Sequence, residues 1–482
     1  MNFGIVIKVL GILLIIESIL MVPSLIISIY TGGSDNLGFI VGIILSLVIG
    51  SLLSMVKSEK KQISARDGLA IVSLGWALVS LIGAIPIYFS EITITFIDAI
   101  FESVSCFTAT GASVLSDVEA LPKGIVFWRS FSHWIGGMGI LVFTVALLPA
   151  LGIGGFQIFK AESPGPRAGK IAPRIRDTAI ILYKTYFTLT IFNIIFLLVG
   201  RMNIFDSILY AFATVGTGGF ATKNNSIAYY DSSYIHLVLT IFMILAGVNF
   251  SLYYSLYKGR IREFYKDQEL RLYLGLILLS TIAVAINLYL ENYANLGISF
   301  RDSFFHVSSM ISTTGFTSYD FEKWPSFSNG ILILLMVIGG SAGSTAGGIK
   351  ISRVLIMFKL IKRGIIKIFH PRAIIPIKHS GKTVSNETVS GIYSFISLYA
   401  LIFLFSTLLV TLEGVDLATA ASTVVATLGN IGIGRGFAGL TSEFASYHQL
   451  TKLLFSALML LGRLELFTII ALFAPKSWRG EI

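Results

Sequence analysis

The chain has 482 residues, a formal net charge of +10, 55% apolar and only 13% charged residues, and a mean hydropathy of +0.82. Soluble globular chains carry roughly 25% charged residues, so this balance places the chain in a membrane and excludes a disordered or fibrous protein. A single cysteine, Cys106, excludes a disulfide framework, and six histidines without an HxxxH or HExxH pair argue against a zinc site.

A run of about 20 mainly apolar residues is long enough to span a bilayer. Ten such runs occur, at 5–29, 38–56, 69–90, 124–148, 178–200, 233–257, 270–290, 326–352, 388–412 and 450–474. The first is longer than a signal-peptide core and lacks a small-x-small exit, so it reads as a retained helix. With the N-terminus inside, 25 of the 36 basic residues fall in inner connections and eight in outer ones. The positive-inside rule then puts both termini in the cytoplasm, and the basic balance reflects topology, with no nucleic-acid partner implied. The segment from Arg353 to Lys382 reads as a solvated basic loop near anionic lipid.

Four outer connections repeat a pattern: FIDAIFESVSCFTATGAS (96–113), IFDSILYAFATVGTGGFAT (204–222), FRDSFFHVSSMISTTGFTS (300–318) and VDLATAASTVVATLGNIGIG (415–434). Each opens near an Asp, expected to be the N-cap of a re-entrant helix of about 10 residues, too short to span. Each closes on Thr or Asn beside Gly. Asp98 to Gly111, Asp206 to Gly219 and Asp302 to Gly315 share a separation of 13 residues. Asp416 reaches Gly429 at 13 and Gly432 at 16; the Gly-Ile-Gly stretch favours Gly432, with an extra turn at the start of the fourth helix. The C-terminal end of each helix carries about half a negative charge and favours a cation at the segment beyond. Non-helical backbone at membrane depth is tolerated only against a cavity or inside protein. Four copies about one axis make a ring of carbonyl oxygens able to replace a cation's hydration shell.

The expected fold is an all-α membrane protein with two N-terminal transmembrane helices followed by four pseudo-symmetric helix, pore-helix/filter loop, helix units around one central pore. The expected division is 1–66 for the helix pair and 67–160, 161–265, 266–370 and 371–482 for the four repeats.

The second helix of each unit carries small residues: Gly136, Gly137 and Gly139; Ala246 and Gly247; and Gly462 in the fourth, all read as close helix packing. The third holds ten in succession, Gly339, Gly340, Ser341, Ala342, Gly343, Ser344, Thr345, Ala346, Gly347 and Gly348. With Gly costing a helix about 1 kcal/mol relative to Ala, this span is expected to unwind and act as a gate below the ring. Arg463, inside the last span, costs at least ~2.5 kcal/mol in hydrocarbon and is expected to face the pore as an electrostatic barrier. Glu465, two positions on, faces another side of a helix. Glu17 and Glu102 also lie in apolar context, with no role beyond hydrogen bonding to neighbouring helices.

FTATGAS, TVGTGGFAT, STTGFTS and GNIGIG, together with residues 133–166, GGSAGSTAGGIK (339–350) and LGRLELF (461–467), resemble the Trk/Ktr/HKT superfamily of potassium transporters, and its TrkH/TrkG type more than KtrB. The resemblance covers essentially the whole chain. It implies a potassium filter built on Gly111, Gly219, Gly315 and Gly432, with carbonyl ligands at Ala109 and Thr110, Thr217 and Gly218, Thr313 and Thr314, and Asn430 and Ile431. It further implies that 339–348 is a gating loop, that Arg463 is a pore arginine, and that the protein is a homodimer in the bacterial inner membrane. The regulator implied is a cytosolic TrkA-type nucleotide-binding ring. The fourth copy, Gly429-Asn430-Ile431-Gly432, departs from the paired Asn common in TrkH-like members. Without a GxGxxG after a strand or a Walker A sequence, this chain is assigned no organic cofactor; the resemblance implies potassium as the transported ion. Channel-like uptake and symport with sodium or protons both remain open. A membrane-embedded enzyme needs clustered acidic or His residues at one membrane face, which the sequence does not offer.

Overall fold

The computed structural model describes residues 1–57, 63–139, 175–380, 382–434 and 443–473. Helices α1 (Phe3–Thr31) and α2 (Asn36–Ser54) form an antiparallel pair. They approach closely because Gly11 and Gly50 face each other: a Cβ on Gly11 would lie 2.6 Å from the Gly50 carbonyl oxygen. Asp35, in the turn between them, accepts from the Ile125 N–H at 2.9 Å. Phe39 of α2 packs in one core with Trp76 and Trp128, so the pair is fastened to the unit that follows it.

Four units of helix, short pore helix and helix come next. The first is α3 (Ala65–Phe89), α4 (Phe96–Phe107) and α5 (Lys123–Gly137). The second is α6 (Ile175–Val199), α7 (Ile204–Val215) and α8 (Ser233–Ala246), trailed by α9 (Phe250–Tyr257) and α10 (Ile261–Lys266). The third is α11 (Gln268–Leu290), α12 (Leu296–Ile311) and α13 (Ser326–Ile338), trailed by α14 (Ile351–Phe369). The fourth is α15 (Asn386–Thr411), α16 (Leu417–Leu428) and α17 (Gln449–Arg463), trailed by α18 (Phe467–Phe473). Among the described residues, strand pairing is confined to Lys378–His379 against Lys382–Thr383. Among the described residues six helices are long and apolar enough to cross a bilayer, and the chain is a multi-pass membrane protein.

The inner helices differ from expectation. The runs 233–257, 326–352 and 450–474 are each broken, and α8 meets α9 at 91°. The run 124–148 is helical to Gly137; its residues 140–148, like residue 474, lie outside the described residues. The small residues do pack closely, and they do so where the helices stop. A Cβ on Gly136 would strike the Phe107 carbonyl oxygen, and one on Gly462 the Leu428 carbonyl oxygen, so these helices press on the ends of the pore helices. Hydropathy registers how apolar a run is, not whether its helix is continuous. The basic segment from Arg353 is likewise helix α14 as far as Phe369, its first turn from Ile351 to Val354 buried all round and Ile356 and Leu360 buried beyond it.

Candidate functional site

The pore helices are capped at Thr95, Asn203, Asn295 and Asp416, whose side-chain oxygens accept from Asp98 N (3.2 Å), Asp206 N (2.8 Å), Ile298 N (2.9 Å) and Thr419 N (3.1 Å). Of the four expected N-cap aspartates, only Asp416 is one. Asp98 and Asp206 sit in the first turn of α4 and α7, and Asp302 lies deeper in α12, which begins a turn early at Leu296. Asp is favourable both as a cap and in the first turn, so counting from Asp carries a three-residue ambiguity. Counted from the cap, Thr95 to Gly111, Asn203 to Gly219 and Asp416 to Gly432 are each 16 residues. The extra turn belongs to the third helix, not the fourth.

Beyond the four helix ends the backbone repeats one conformation. Ala109, Thr217, Thr313 and Asn430 have φ of 52°, 53°, 56° and 55°; Gly111, Gly219, Gly315 and Gly432 have φ of 85°, 73°, 81° and 81°. The N–H groups of Thr110, Gly218, Thr314 and Ile431 turn back onto their own pore helix, donating to Ser105 O (3.0 Å), Ala213 O (2.8 Å), Ser309 O (2.9 Å) and Ala426 O (2.9 Å). Alternating the sign of φ gathers successive N–H groups on one side of the chain. The carbonyls of these segments therefore face the other way, and among the described residues they accept no hydrogen bond.

The four segments close on one another. A Cβ on Gly111 would strike Gly218 O, on Gly219 Thr314 O, on Gly315 Ile431 O, and on Gly432 Thr110 O. Each glycine thus faces the carbonyl of the next unit, and the last faces the first. Side chains bind the ring from behind: Thr108 Oγ1 and Thr110 Oγ1 are 2.7 Å apart, Ser312 Oγ and Thr314 Oγ1 2.8 Å, and Asn430 Nδ2 donates to Thr110 Oγ1 and to Met459 O, both at 2.9 Å. All four glycines line a single solvent-open cavity with Ser113, Arg129, Phe220, Lys223 and Thr317.

On the opposite side of the ring, residues 339–350 form a non-helical loop with Gly339, Gly343, Gly348 and Lys350 at positive φ. The loop crosses under three of the four quarters. Thr345 Oγ1 donates to Val215 O at the end of α7 (3.1 Å), Gly347 N donates to Thr313 Oγ1 (2.7 Å), and a Cβ on Gly347 would strike Gly429 O. Arg463 supplies the fourth: its guanidinium donates to Thr345 O at 2.8 Å and to the carbonyls of Gly136 and Gly137 at the end of α5. Glu465 does not pair with it; its carboxylate takes the guanidinium of Arg353.

Several side chains at the site were given no partner by the sequence. Glu269 of α11 holds the loop through the Ala342 N–H at 2.6 Å. Lys452 of α17 is buried against Asp98 at 2.7 Å. Glu102 of α4 is buried against Arg129 of α5 at 2.7 Å. Opposite charges in apolar context were a hint for Glu102, but partners 354 residues apart, as for Lys452 and Asp98, are invisible to spacing.

Known proteins match this arrangement over nearly its whole length. A family model described as TrkH, cation transport protein, matches residues 37–480. The Trk system potassium uptake protein TrkH of Escherichia coli K12 is 38% identical, covering 99% of this chain and 100% of that protein. The Trk system potassium uptake protein TrkG of the same organism is 36% identical over 98% of this chain and 97% of its own. The crystal structure of the potassium transporter TrkH from Vibrio parahaemolyticus superposes with a TM-score of 0.89 at 33% identity, covering 99% of this chain and 100% of that one. The chain therefore shares its overall fold with a solved potassium transporter, and it belongs to the TrkH family of cation transport proteins.

Proposed function

We propose that this protein is a potassium uptake transporter of the Trk family, in which potassium passes through the ring formed by Ala109, Thr110 and Gly111, Thr217, Gly218 and Gly219, Thr313, Thr314 and Gly315, and Asn430, Ile431 and Gly432. The observation that carries this reading is the closed ring itself: four segments of matching φ, their N–H groups tied back to the pore helices and their carbonyls without hydrogen-bond donors among the described residues. Carbonyls without donors suit a dehydrated cation, and four helix C-termini add negative potential there. The loop 339–348 is the gate and Arg463 its latch and barrier, supported by their contacts beneath three quarters and the fourth. The relatives are named as potassium uptake proteins, which supports a transporter rather than an enzyme.

The relatives' names speak of a Trk system, which supports assembly with further components; the components proposed are a second copy of this chain and a cytosolic TrkA-type nucleotide-binding ring, as the sequence resemblance implies. The setting is a bacterial inner membrane with both termini cytoplasmic, and the repeats divide at 66, 160, 265 and 370. The test is rubidium uptake into potassium-loaded proteoliposomes with external potassium, sodium or lithium as competitor, for the wild type and Gly315→Ser. Strong competition by potassium alone, lost in the variant, supports the reading. Flux whose selectivity is untouched by Gly315→Ser overturns the filter assignment.

A further inference from the structure

The residue nine positions before each ring glycine plays one part in all four quarters: it touches the segment that continues past the ring. The Tyr210 hydroxyl donates to Ser226 O at 3.4 Å, His306 Nε2 is 3.1 Å from Tyr319 O, and Thr423 Oγ1 is 3.4 Å from the Tyr447 hydroxyl. In the first quarter the position is Glu102, the only acid of the four. Its carboxylate accepts from Ser113 Oγ and Val114 N at 3.1 Å, and from Arg129 Nε at 2.7 Å. Arg129 in turn donates to Ser113 Oγ at 3.1 Å and stacks its guanidinium 4.0 Å over the ring of Phe220, the residue after Gly219. The pair is 0% and 2% exposed, yet Arg129 lines the cavity that collects all four glycines.

An isolated positive charge at the approach to a cation ring opposes entry, and a buried charge persists only when paired. We propose that Glu102 and Arg129 are positioning residues of the pore: Glu102 neutralises and restrains the guanidinium beside the cavity, and the guanidinium, clamped between Ser113 and Phe220, fixes the first two quarters of the ring relative to each other. The inference rests on reading the four segments as the ion filter.

The experiment is rubidium uptake at low ionic strength by the wild type, Glu102→Gln and the double variant Glu102→Gln/Arg129→Gln, each checked for a monodisperse elution profile. A unit charge about 10 Å from the ion at an effective dielectric of about 20 predicts a roughly tenfold loss of rate in Glu102→Gln, with most of it recovered in the double variant. A purely structural pair gives the opposite order, the double variant being at least as impaired as the single; that result, or a wild-type rate in Glu102→Gln, overturns the proposal. Should Glu102→Gln not fold, Phe220→Ala decides, since it removes the clamp and leaves both charges. Loss of potassium preference over sodium supports the proposal and an unchanged preference overturns it. A wild type without potassium preference fails the filter reading first, before any variant is compared.

Discussion

Displacing the 339–350 loop from beneath the ring must break the bond from Arg463 Nη1 to Thr345 O, 2.8 Å long, whereas the bonds to Gly136 and Gly137 can persist on the static side. A hydrogen bond from a charged donor contributes about 1.5–3 kcal/mol, and each 1.4 kcal/mol is about tenfold in an equilibrium. Arg463→Gln is therefore expected to raise the fraction of protein with the loop displaced by roughly 10- to 100-fold, up to saturation. The measurement is the initial rate of rubidium uptake into proteoliposomes without any cytosolic partner. Arg463→Lys separates latch from barrier, because an ammonium keeps the charge as a point but does not span several carbonyls as a guanidinium does. A latch gives Lys an intermediate rate; a purely electrostatic barrier leaves Lys at the wild-type rate. An unchanged rate in Arg463→Gln refutes the latch altogether.

Three further outcomes are expected. Gly432→Ala, whose methyl group would strike the Thr110 carbonyl at a backbone φ of 81°, abolishes potassium preference in competition uptake, while Gly275→Ala, with open space around it, leaves it intact. Asp98→Asn lowers the melting temperature in detergent, because it strips buried Lys452 of its countercharge, at a cost of about 3–5 kcal/mol for a fully broken buried pair; Asp416→Asn at the exposed cap of α16 changes it little, Asn being as good a cap. Asp117, between α4 and α5, is held below the usual carboxylate range by the Asn224 amide (2.9 Å) and the N–H groups of Ala120 and Glu119. Its contribution is fully present above about pH 3.9 and is lost only as pH falls through the lowered value, so exchange protection at Glu119 and Ala120, corrected for intrinsic rate, stays constant from pH 7 to 5.

The pore helices were legible because an acid near the start, an apolar face and a glycine recur in four places, and the Gly-Ile-Gly stretch pointed to Gly432, which shares its positive φ with Gly111, Gly219 and Gly315. What spacing did not convey was the role of each acid. An Asp three residues into α4 and an Asp capping α16 look alike in a string of letters, and the difference shifted an extra turn from α12 to α16. The helix ends at Gly137, Ala246 and Arg463 were hidden for a related reason: their flanks are as apolar as a continuous span, and the close contacts made there, Gly136 on Phe107 O, Gly247 on the Tyr273 hydroxyl and Gly462 on Leu428 O, are with residues distant in sequence. Only at 339–348 was the local composition poor enough to predict unwinding by itself. The pairing of Glu102 with Arg129 required the three-dimensional register of α4 against α5, which neither helix encodes alone.

The hydrogen bond from Asn430 to Thr110 joins residues 320 positions apart, and it sits where the last unit meets the first. During synthesis, three quarters of the ring can be inserted into the bilayer with no seam available to close it. A nascent chain halted before its fourth unit holds polar backbone exposed at membrane depth on two open flanks, the arrangement a bilayer tolerates least. On the proposed filter reading, closing the ring requires the last unit to meet the first, and each quarter remains separately mutable in a way that a pore built from four identical subunits is not.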